Sequence, residues 1–512
     1  MKLHAKIALG ISAIGLVGIV VWRLLDPVLT EKQQALVSDV GEKGSIHLAV
    51  DGWVGYFPLC SPEMKRRLNR EGYGLRCTDD AADYQSRFSK LKNNDYQFVV
   101  ATVDSYLLNG EKLHYPGPIV AVIDESKGGD AIVSWKSEIP NLEALKNAQS
   151  LRVAFTPDSP SHHLLKAVAT HFDIDAFKNK ANFIQADGSS AALSLLQDKK
   201  ADIAVLWEPD VSKALADSNI VRLLGTEDTQ QLIVDILIAS QKTAKNEPAM
   251  VSEFLRAYFK TLKFYRDNPE QLAKDMSEHY DINKKTAAAL LHGVSWATLV
   301  DNAERWYGVG GSTRQALIDT IESAKDILLE NKNFTRSPIP NEDPYRLIFS
   351  GFVETLYHDI GQIGSFNNGT AANAEQSTFK ALTSAQWNQL VDVGSLKTRN
   401  ITFSSGTSEL TLDGKKQIDA LIQDLNHYPT FRVEIRGHTG LRGDVDANQM
   451  LSQERADAVL RYIEISQSND KNRFRAKGLG SSRPLQQKPG ESDRSYNYRL
   501  PRVEIALVRE VI

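Results

Sequence analysis

Short apolar segments alternate with helical segments between residues 46 and 239, and this alternation constrains the fold more than any other feature of the chain. Brief runs rich in Val, Ile and aromatic residues predict buried strands. The runs are IHLAV, YQFVVATV, GPIVAVI, AIVSW, SLRVAFT, ADIAVLW and VDILIAS. Amphipathic stretches such as SHHLLKAVATHF and SAALSLLQDKK predict the intervening helices. The pattern therefore indicates α/β layers with parallel sheets.

A second unit with its own order of elements ends the chain. Residues 247–332 read as helices, and the polar segment FNNGTAANAEQST then reads as a connection. From about residue 392, a strand (ITFS) and a helix (LDGKKQIDALIQDLNHY) precede a strand (FRVEIRGHT), a helix (MLSQERADAVLRYIEIS) and two strands (NRFRAKGLG, RVEIALV). Two helices packed on a mixed sheet account for this order. A chain of 512 residues is also too long for a single core.

The N-terminal segment predicts export and retention in a membrane. Lys2 and Lys6 precede an apolar run over residues 7–22, and the run ends in bulky residues instead of a small-x-small cleavage site. We therefore predict a signal anchor with a single transmembrane helix over residues 1–27, followed by a stem over residues 28–44. The lysines before the run favour an extracytoplasmic position for the rest of the chain. A cleaved signal peptide is the alternative.

Charge and motif content exclude several classes of function. The net charge of -4 gives no electrostatic reason to expect nucleic-acid binding. The sequence has no P-loop, no GxSxG elbow, no HExxH and no zinc-spaced Cys/His cluster, so we expect neither an enzyme nor a bound metal or other cofactor. The two cysteines, Cys60 and Cys77, could form a disulfide in an exported domain or remain two separate buried thiols.

Six segments of the first unit follow one another in a recognisable order: DGWVGYFPL, VATVDSYL, DESKGGDAIV, LRVAFTPDSPSHHLL, ADIAVLWEPD and VDILIAS. Through these segments, residues 45–335 resemble the periplasmic solute-binding proteins of the nitrate, taurine and alkanesulfonate transport families. The resemblance implies a bilobed α/β fold of the periplasmic-binding-protein type, with two lobes, a hinge and a cleft for a small molecule. General rules for open α/β sheets also place a ligand at the carboxyl ends of the strands.

Candidate contacts for the cleft ligand follow the predicted strands. Ser159 and Ser161 open a helix, where hydroxyl and free N–H groups suit a carboxylate or sulfonate, although capping of the helix is the alternative. Aromatic residues suit ligand clamping, while core packing and turn formation are competing roles. The abundance of acids leaves the ligand either a small organic anion or an amine-bearing solute. The further candidates are Trp53, Tyr56, Asp104, Ser105, Trp207, Glu208 and Asp235.

The last unit contains the segment GHTGLRGDVDANQMLSQERADAVLRYI, with ITFSSGTSELT before it and GLGSSRP after it. Through these segments, residues 392–512 resemble the α+β OmpA-like domain that binds peptidoglycan. The resemblance implies that Asn448, Leu451 and Arg455 contact a stem peptide of the diaminopimelate type. The guanidinium of Arg455 can hold a carboxylate through two parallel hydrogen bonds. An internal salt bridge to Asp444 or to another nearby acid is the alternative role for this arginine.

The wall-binding motif departs from the family at one position. Gly440 stands where an acid usually follows GHT, so the ammonium group of diaminopimelate loses a charge-assisted partner. Asp444, four residues later in the same loop, is the residue that we expect to replace it.

Together these features predict a solute-binding protein tethered at both ends. It would be a single-pass protein of the cell inner membrane, with most of the chain in the periplasm and residues 336–391 as a linker to the wall-binding domain. Transport with an ABC permease and sensing with a signalling partner are both open. The alternative is an envelope scaffold that bridges the inner membrane and the wall, with a vestigial or non-transport cleft.

Overall fold

The computed structural model describes residues 41–146, 148, 151–309, 315–363, 379–399, 401–404, 406–466, 470–488 and 490–510, and the side chains of all of these except 360–363. The predicted anchor and most of the predicted stem lie outside the described residues. Within the described ranges, no helix is both long enough and apolar enough to cross a membrane.

The first lobe, lobe I, is built on a mixed six-stranded sheet. Its strands are β1 (Gly44–Val50), β2 (Tyr73–Asp79), β3 (Phe98–Thr102), β4 (Ile119–Ser126), β10 (Val234–Ala239) and β11 (Val294–Trp296), numbered along the chain. They lie in the order β11–β4–β10–β3–β1–β2. β1 runs parallel to β2 and β3, whereas β10 is antiparallel to β3 and β4. The predicted strands are confirmed, but the predicted parallel sheet is mixed. The reason is that the chain leaves this sheet after β4, forms a second lobe, and re-enters the sheet as β10 in the opposite direction.

Helices cover both faces of the lobe I sheet. They are α1 (Phe57–Cys60), α2 (Pro62–Arg70), α3 (Tyr84–Asn93), α4 (Val103–Gly110), α9 (Gln241–Asn246), α10 (Pro248–Asp267), α11 (Pro269–Tyr280), α12 (Lys284–Leu290), α13 (Ala316–Glu330) and α14 (Gly351–Ile363). A disulfide joins Cys60 at the end of α1 to Cys77 in β2. Closing a loop of this length stabilises a fold by about 3 kcal/mol in the chain-entropy model.

Part of the predicted linker belongs to lobe I. Helix α14 buries Val353 and Leu356 in the core of this lobe. Its Tyr357 hydroxyl donates to Glu304 Oε1 at 2.6 Å, and Asp359 pairs with Arg256 at 3.1 Å. The sequence does not predict this packing, because the helix follows a proline-rich segment, and such a segment usually marks the start of a connection between domains.

Lobe II is a smaller α/β unit inserted between β4 and β10. Its strands are β5 (Asp130–Trp135), β6 (Val153–Phe155), β7 (Phe183–Gln185), β8 (Ile203–Trp207) and β9 (Ile220–Gly225), in the order β7–β6–β8–β5–β9. Its helices are α5 (Leu142–Leu145), α6 (Pro160–His171), α7 (Ser189–Gln197) and α8 (Asp210–Leu215). The two crossings between the lobes meet where the Ser126 and Thr226 hydroxyls lie 2.9 Å apart.

The C-terminal domain packs helices on a four-stranded sheet in the order β12–β15–β13–β14. Its strands are β12 (Val391–Ser395), β13 (Arg432–His438), β14 (Phe474–Gly478) and β15 (Arg502–Arg509). Its helices are α15 (Ser384–Trp387), α16 (Leu412–Asn426), α17 (Val445–Ser466) and α18 (Asp493–Arg499). The elements β12, α15 and α18 were not expected from the sequence.

The prediction of a strand at ITFS, residues 401–404, is wrong. This segment forms only an isolated bridge between Phe403 and Leu410. The carbonyl of Thr402 accepts the amide of Thr411, the residue that caps α16, at 3.2 Å. The segment therefore pairs with its own following loop, and β12 takes the sheet edge instead.

Lobe II and the C-terminal domain share one continuous hydrophobic core. The backbone at Gly394 of β12 approaches so closely that an added Cβ would lie 3.2 Å from side-chain atoms of both Leu142 and Phe172. His171 Nδ1 lies 2.7 Å from the Tyr428 hydroxyl across this interface. The C-terminal domain is thus packed on lobe II, whereas α14 packs in the separate hydrophobic core of lobe I.

Candidate functional site

A cavity of about 660 Å³ lies between the two lobes. Its size is that of a typical small-molecule site. Both lobes contribute strand ends and the loops that follow them, as expected for a cleft in an open α/β fold. Lobe I supplies Asp51, Gly52, Trp53, Tyr56, Ala81, Ala82, Tyr84, Ile233 and Asp235. Lobe II supplies Asp130, Thr156, Pro157, Asp158, Ser159, Pro160, Ala186, Asp187, Gly188 and Trp207.

Hydrogen bonds fix two aromatic side chains of the cavity, those of Trp53 and Tyr56, and the backbone at a third aromatic residue, Trp207. Trp53 Nε1 donates to Asp124 Oδ1 at 3.2 Å, and the Tyr56 hydroxyl donates to Asp235. On the opposite wall, the amide of Trp207 donates to the Ser189 hydroxyl at 3.1 Å. Because partners hold these groups before any ligand arrives, little ordering remains to oppose binding.

Asp124 and Asp235 form a buried carboxyl pair at the lobe I side of the cavity. Burial raises the pKa of Asp124 to about 7, although Trp53 donates a hydrogen bond to it. Burial, and then repulsion from Asp124, raises the pKa of Asp235 well above its ordinary value. Two carboxylates at one site resist losing both protons, so this pair favours a protonated form when nothing positive is close.

Asp130 stands at the hinge between the lobes. The hydroxyls of Ser161 and Ser126 donate to its two carboxylate oxygens at 2.7 and 2.9 Å. Burial nevertheless raises the pKa of Asp130 to about 6. Asp51 differs from both sites, because its carboxylate lies 3.2 Å from the fully buried guanidinium of Arg87.

Five of the nine residues predicted from sequence to contact the cleft ligand line the cavity. They are Ser159, Trp53, Tyr56, Trp207 and Asp235. Ser159 also accepts the amide of His162 at 3.2 Å, so the predicted capping role is present at the same residue.

The structure does not bring the other four predicted residues to the cavity wall. Ser161 is fully buried against Asp130, and Glu208 accepts both the amide and the hydroxyl of Ser212 in α8. Asp104 lies 3.8 Å from His163 Nδ1 where the lobes meet, and Ser105 accepts the Thr102 hydroxyl. Ser161, Glu208 and Ser105 are thus hydrogen-bonded to neighbouring groups of the protein, and Asp104 faces a histidine outside the cavity.

Six other lining residues carry polar or aromatic groups that the sequence-based prediction left out. Each stands at a strand end, in the loop that follows a strand or at the start of the next helix, which is where this fold places ligand contacts. They are Asp51, Tyr84, Asp130, Thr156, Asp158 and Asp187.

The predicted wall-binding residues gather around the start of α17. The Arg455 guanidinium lies over the Phe403 ring, 5.1 Å from its centre, and Nε donates to the Thr407 carbonyl at 3.4 Å. No described carboxylate pairs with it, and partial burial lowers the pKa of Arg455. The predicted alternative, a salt bridge to Asp444, is not formed: this aspartate caps α17 by accepting the amide of Ala447 at 2.9 Å.

The loop before α17 is shaped by Asn448 and leaves room at Gly440. Asn448 Nδ2 donates to the Arg442 carbonyl at 3.1 Å, which closes the loop onto the helix. Leu451 is half-buried one turn before Arg455. A Cβ added at Gly440 would meet no described atom within 4 Å. The position of the missing acid is therefore open.

Two family models match separate parts of the chain. The OmpA family matches residues 402–498, and the family described as NMT1/THI5 like matches residues 114–272. Both matches fall within the units that the sequence predicts.

Curated relatives match shorter stretches of the chain. The probable lipoprotein YiaD of Escherichia coli (strain K12) is 34% identical over 108 residues, which are 21% of this chain and 48% of that protein. The peptidoglycan-associated lipoprotein of Buchnera aphidicola is 31% identical over 103 residues, 20% of this chain and 59% of that protein. The chain thus spans about half the length of these relatives.

Among solved structures, the periplasmic aliphatic sulphonate binding protein SsuA from Escherichia coli aligns with 60% of this chain and 92% of its own at 15% identity and a TM-score of 0.46. The two resemblances predicted from sequence are confirmed by the family matches. The chain therefore combines an NMT1/THI5-like domain with a C-terminal OmpA domain.

Proposed function

We propose that the chain is a solute-binding protein of the cell envelope that its C-terminal domain holds on peptidoglycan. The observation that carries the proposal is the cavity of about 660 Å³ between the lobes, with aromatic side chains from both walls. Such a cavity suits a small organic molecule and has no evident purpose in a purely structural spacer. Binding, and not catalysis, is the activity that we assign to it.

The state of Arg455 supports attachment to the wall. Its guanidinium contacts a ring and a backbone carbonyl, and within the described part of the chain it has no acidic partner. A partly buried guanidinium without a counter-ion favours a carboxylate ligand, and diaminopimelate carries one in its side chain. Asn448 and Leu451 flank this position on α17, and Asp444 stays the candidate that faces the ligand's ammonium group.

Residues 1–27 complete the proposal as an inner-membrane anchor that leaves the bulk of the chain in the periplasm. In transport, an ABC permease would take up the bound solute. In sensing, a signalling protein would recognise the solute-bound form of the lobes. The predicted alternative is a scaffold whose cleft binds nothing, and the size and polar lining of the cavity argue against it.

Retention on peptidoglycan tests the wall-binding half. The full-length chain should sediment with sacculi of the diaminopimelate type and much less with sacculi in which lysine replaces diaminopimelate, because lysine lacks the carboxylate that Arg455 would bind. Equal retention on both types, or on neither, would remove the proposed role of this site.

Thermal stabilisation by solutes tests the cleft half. Full-length protein should melt at a higher temperature with at least one small solute from a library of anions, cations and neutral compounds. The shift should disappear in Trp207→Ala, which removes one wall of the cavity. Absence of any shift would favour the scaffold alternative.

A further inference from the structure

The charge of the interlobe cavity is one-sided. Its walls carry five aspartates, and none of the lining residues is lysine, arginine or histidine. Of the five, Asp51 alone pairs with a guanidinium, that of Arg87. The cavity therefore faces any ligand with four aspartates that no cationic side chain among the described residues neutralises.

The carboxyl groups nearest the hinge receive only neutral donors. Asp235 accepts the Tyr56 hydroxyl, and Asp130 accepts two serine hydroxyls. Behind Asp235, the Asp124 carboxyl group is fully buried, and among the described residues only the Trp53 indole and the neighbouring Asp235 carboxyl group hydrogen-bond to it. A buried carboxyl group without a cation is costly, and a positive ligand group would relieve that cost.

Four aromatic side chains line the cavity together with the aspartates, and both lobes contribute them. Trp53, Tyr56 and Tyr84 come from lobe I and Trp207 comes from lobe II. Ammonium groups are attracted to the faces of such rings, and the attraction grows where water is excluded. Acids and aromatic rings around one cavity are the pairing by which proteins recognise organic ammonium ions.

The features that predicted an anion are occupied within the protein. The Ser159 hydroxyl donates to the Thr156 carbonyl at 2.7 Å and accepts the amide of His162, so it caps its own helix. Ser161 donates to Asp130 instead of pointing into the cavity. Asp158 stands beside this helix start, where its carboxylate would repel an anion.

We propose that the cleft binds an organic cation, a small molecule with a protonated or quaternary amine whose charge lies near Asp235 and Asp130 and whose apolar part contacts the aromatic rings. This inference rests on the proposed solute-binding function and adds the chemical class of the solute. It runs against the anion class that the resemblance to sulfonate transport proteins implies.

Matched probes of opposite charge test the class. We would titrate full-length protein, followed by calorimetry, with choline, putrescine, agmatine and benzyltrimethylammonium. The neutral counterpart of choline is dimethylbutanol, in which carbon replaces nitrogen, and the anionic counterparts are ethanesulfonate and benzenesulfonate. At least one cation should bind, and its neutral or anionic counterpart should bind at least about tenfold more weakly, since a charge-assisted contact is commonly worth that much.

Conservative variants link the selectivity to the aspartates. Asp235→Asn keeps an oxygen that can accept the Tyr56 hydroxyl, yet it should weaken the cation about tenfold and leave the neutral counterpart unchanged. Asp187→Asn changes an exposed lining residue that the fold does not need, and a smaller loss in the same direction is expected. Asp175→Asn, an exposed acid of lobe II outside the cavity, is the matched control and should change nothing.

The outcomes separate the class of the ligand from the existence of a site. Tighter binding of an anion or of the neutral counterpart, or an equal loss of cation and neutral probe in Asp235→Asn, would overturn the cation proposal and leave a solute-binding cleft. The cation proposal would also be overturned if no cation of the panel bound. If no probe of any charge bound, the result would count against the proposed solute-binding function as well.

Discussion

The cleft and the wall-binding site use opposite charges and opposite degrees of enclosure. The cleft encloses about 660 Å³ among aspartates and aromatic rings, and hydroxyl or indole donors already hold its key acids. The wall site presents Arg455 from a helix surface, and its guanidinium contacts only a ring and a backbone carbonyl. Because the cleft is acidic and the site at Arg455 is basic, a ligand charge that favours binding at one site opposes binding at the other. The ligands of the two sites should therefore not compete.

Removal of the wall-site cation should have the largest effect. Arg455→Ala should weaken retention on diaminopimelate-type peptidoglycan about 100-fold, because two charge-assisted hydrogen bonds to a carboxylate would be lost. Sedimentation with purified sacculi measures this loss. Arg461→Ala, on the exposed side of the same helix, is the control and should bind as the wild type does. Solute binding in the cleft should not change, and a loss there would break the separation of the two sites.

Restoration of the missing acid should give the next largest effect. Gly440→Asp should strengthen wall binding by about tenfold, because it supplies a carboxylate for the ammonium group of diaminopimelate. The added side chain meets no described atom within 4 Å of its Cβ, so little strain is expected. Binding isotherms with a soluble stem peptide measure the gain. Gly440→Asn is the matched control without charge, and an equal gain in both variants would contradict the electrostatic explanation.

Local patterns predicted most of the elements, and they failed where pairing is long-range. Every strand proposed for the two lobes exists, because each run of Val, Ile and aromatic residues is buried on both faces of a sheet. The insertion of β10 between β3 and β4 follows from contacts that span the whole of lobe II, and periodicity carries no information on such order.

The candidate sites show the same division between local and distant information. Arg455 and Asn448 lie together on one helix, so their spacing was visible in the sequence. The role of Ser161 was not, because its hydroxyl is taken by Asp130 from another strand. The sequence can thus identify a polar residue at a strand end as a candidate ligand contact. Whether another residue of the protein already hydrogen-bonds to it depends on tertiary packing.

Lobe II joins the two sites, and the histidines at its interface with the C-terminal domain should make that junction sensitive to acid. His427 Nδ1 donates to the Gln230 carbonyl, so Nε2 accepts the Ser323 hydroxyl and the ring is neutral. Burial lowers the pKa of His427 and, further, of His171 beside it. Below about pH 6.5, these histidines therefore bind protons in the unfolded chain but not in the folded chain, and the free energy of unfolding falls.

A histidine variant separates this effect from that of the cleft acids. Between pH 7.5 and 5.5, a buried neutral histidine costs at most about 1.4 kcal/mol of unfolding free energy, whereas the raised pKa values of the cleft acids act in the opposite direction. His427→Gln should therefore reduce the loss of stability towards acid in urea unfolding, by no more than about that amount. Identical slopes for variant and wild type would show that the pKa of His427 is the same in the folded and the unfolded chain, which would contradict the effect of burial.

The smallest expected effect is the response of the cleft to acid while the wall site stays constant. The pKa of Asp130 is raised to about 6, so at pH 5.5 most of this carboxyl is protonated in the empty cleft and at pH 7.5 almost none is. A cation requires the ionised form, and its affinity should fall by about fourfold over this interval from Asp130 alone, with protons released on binding. Calorimetry in buffers of different ionisation enthalpy measures both quantities. Arg455 keeps its charge throughout, so wall retention supplies the internal control, and a parallel fall at both sites would mean that acid acts through the shared lobe II and not through the cleft.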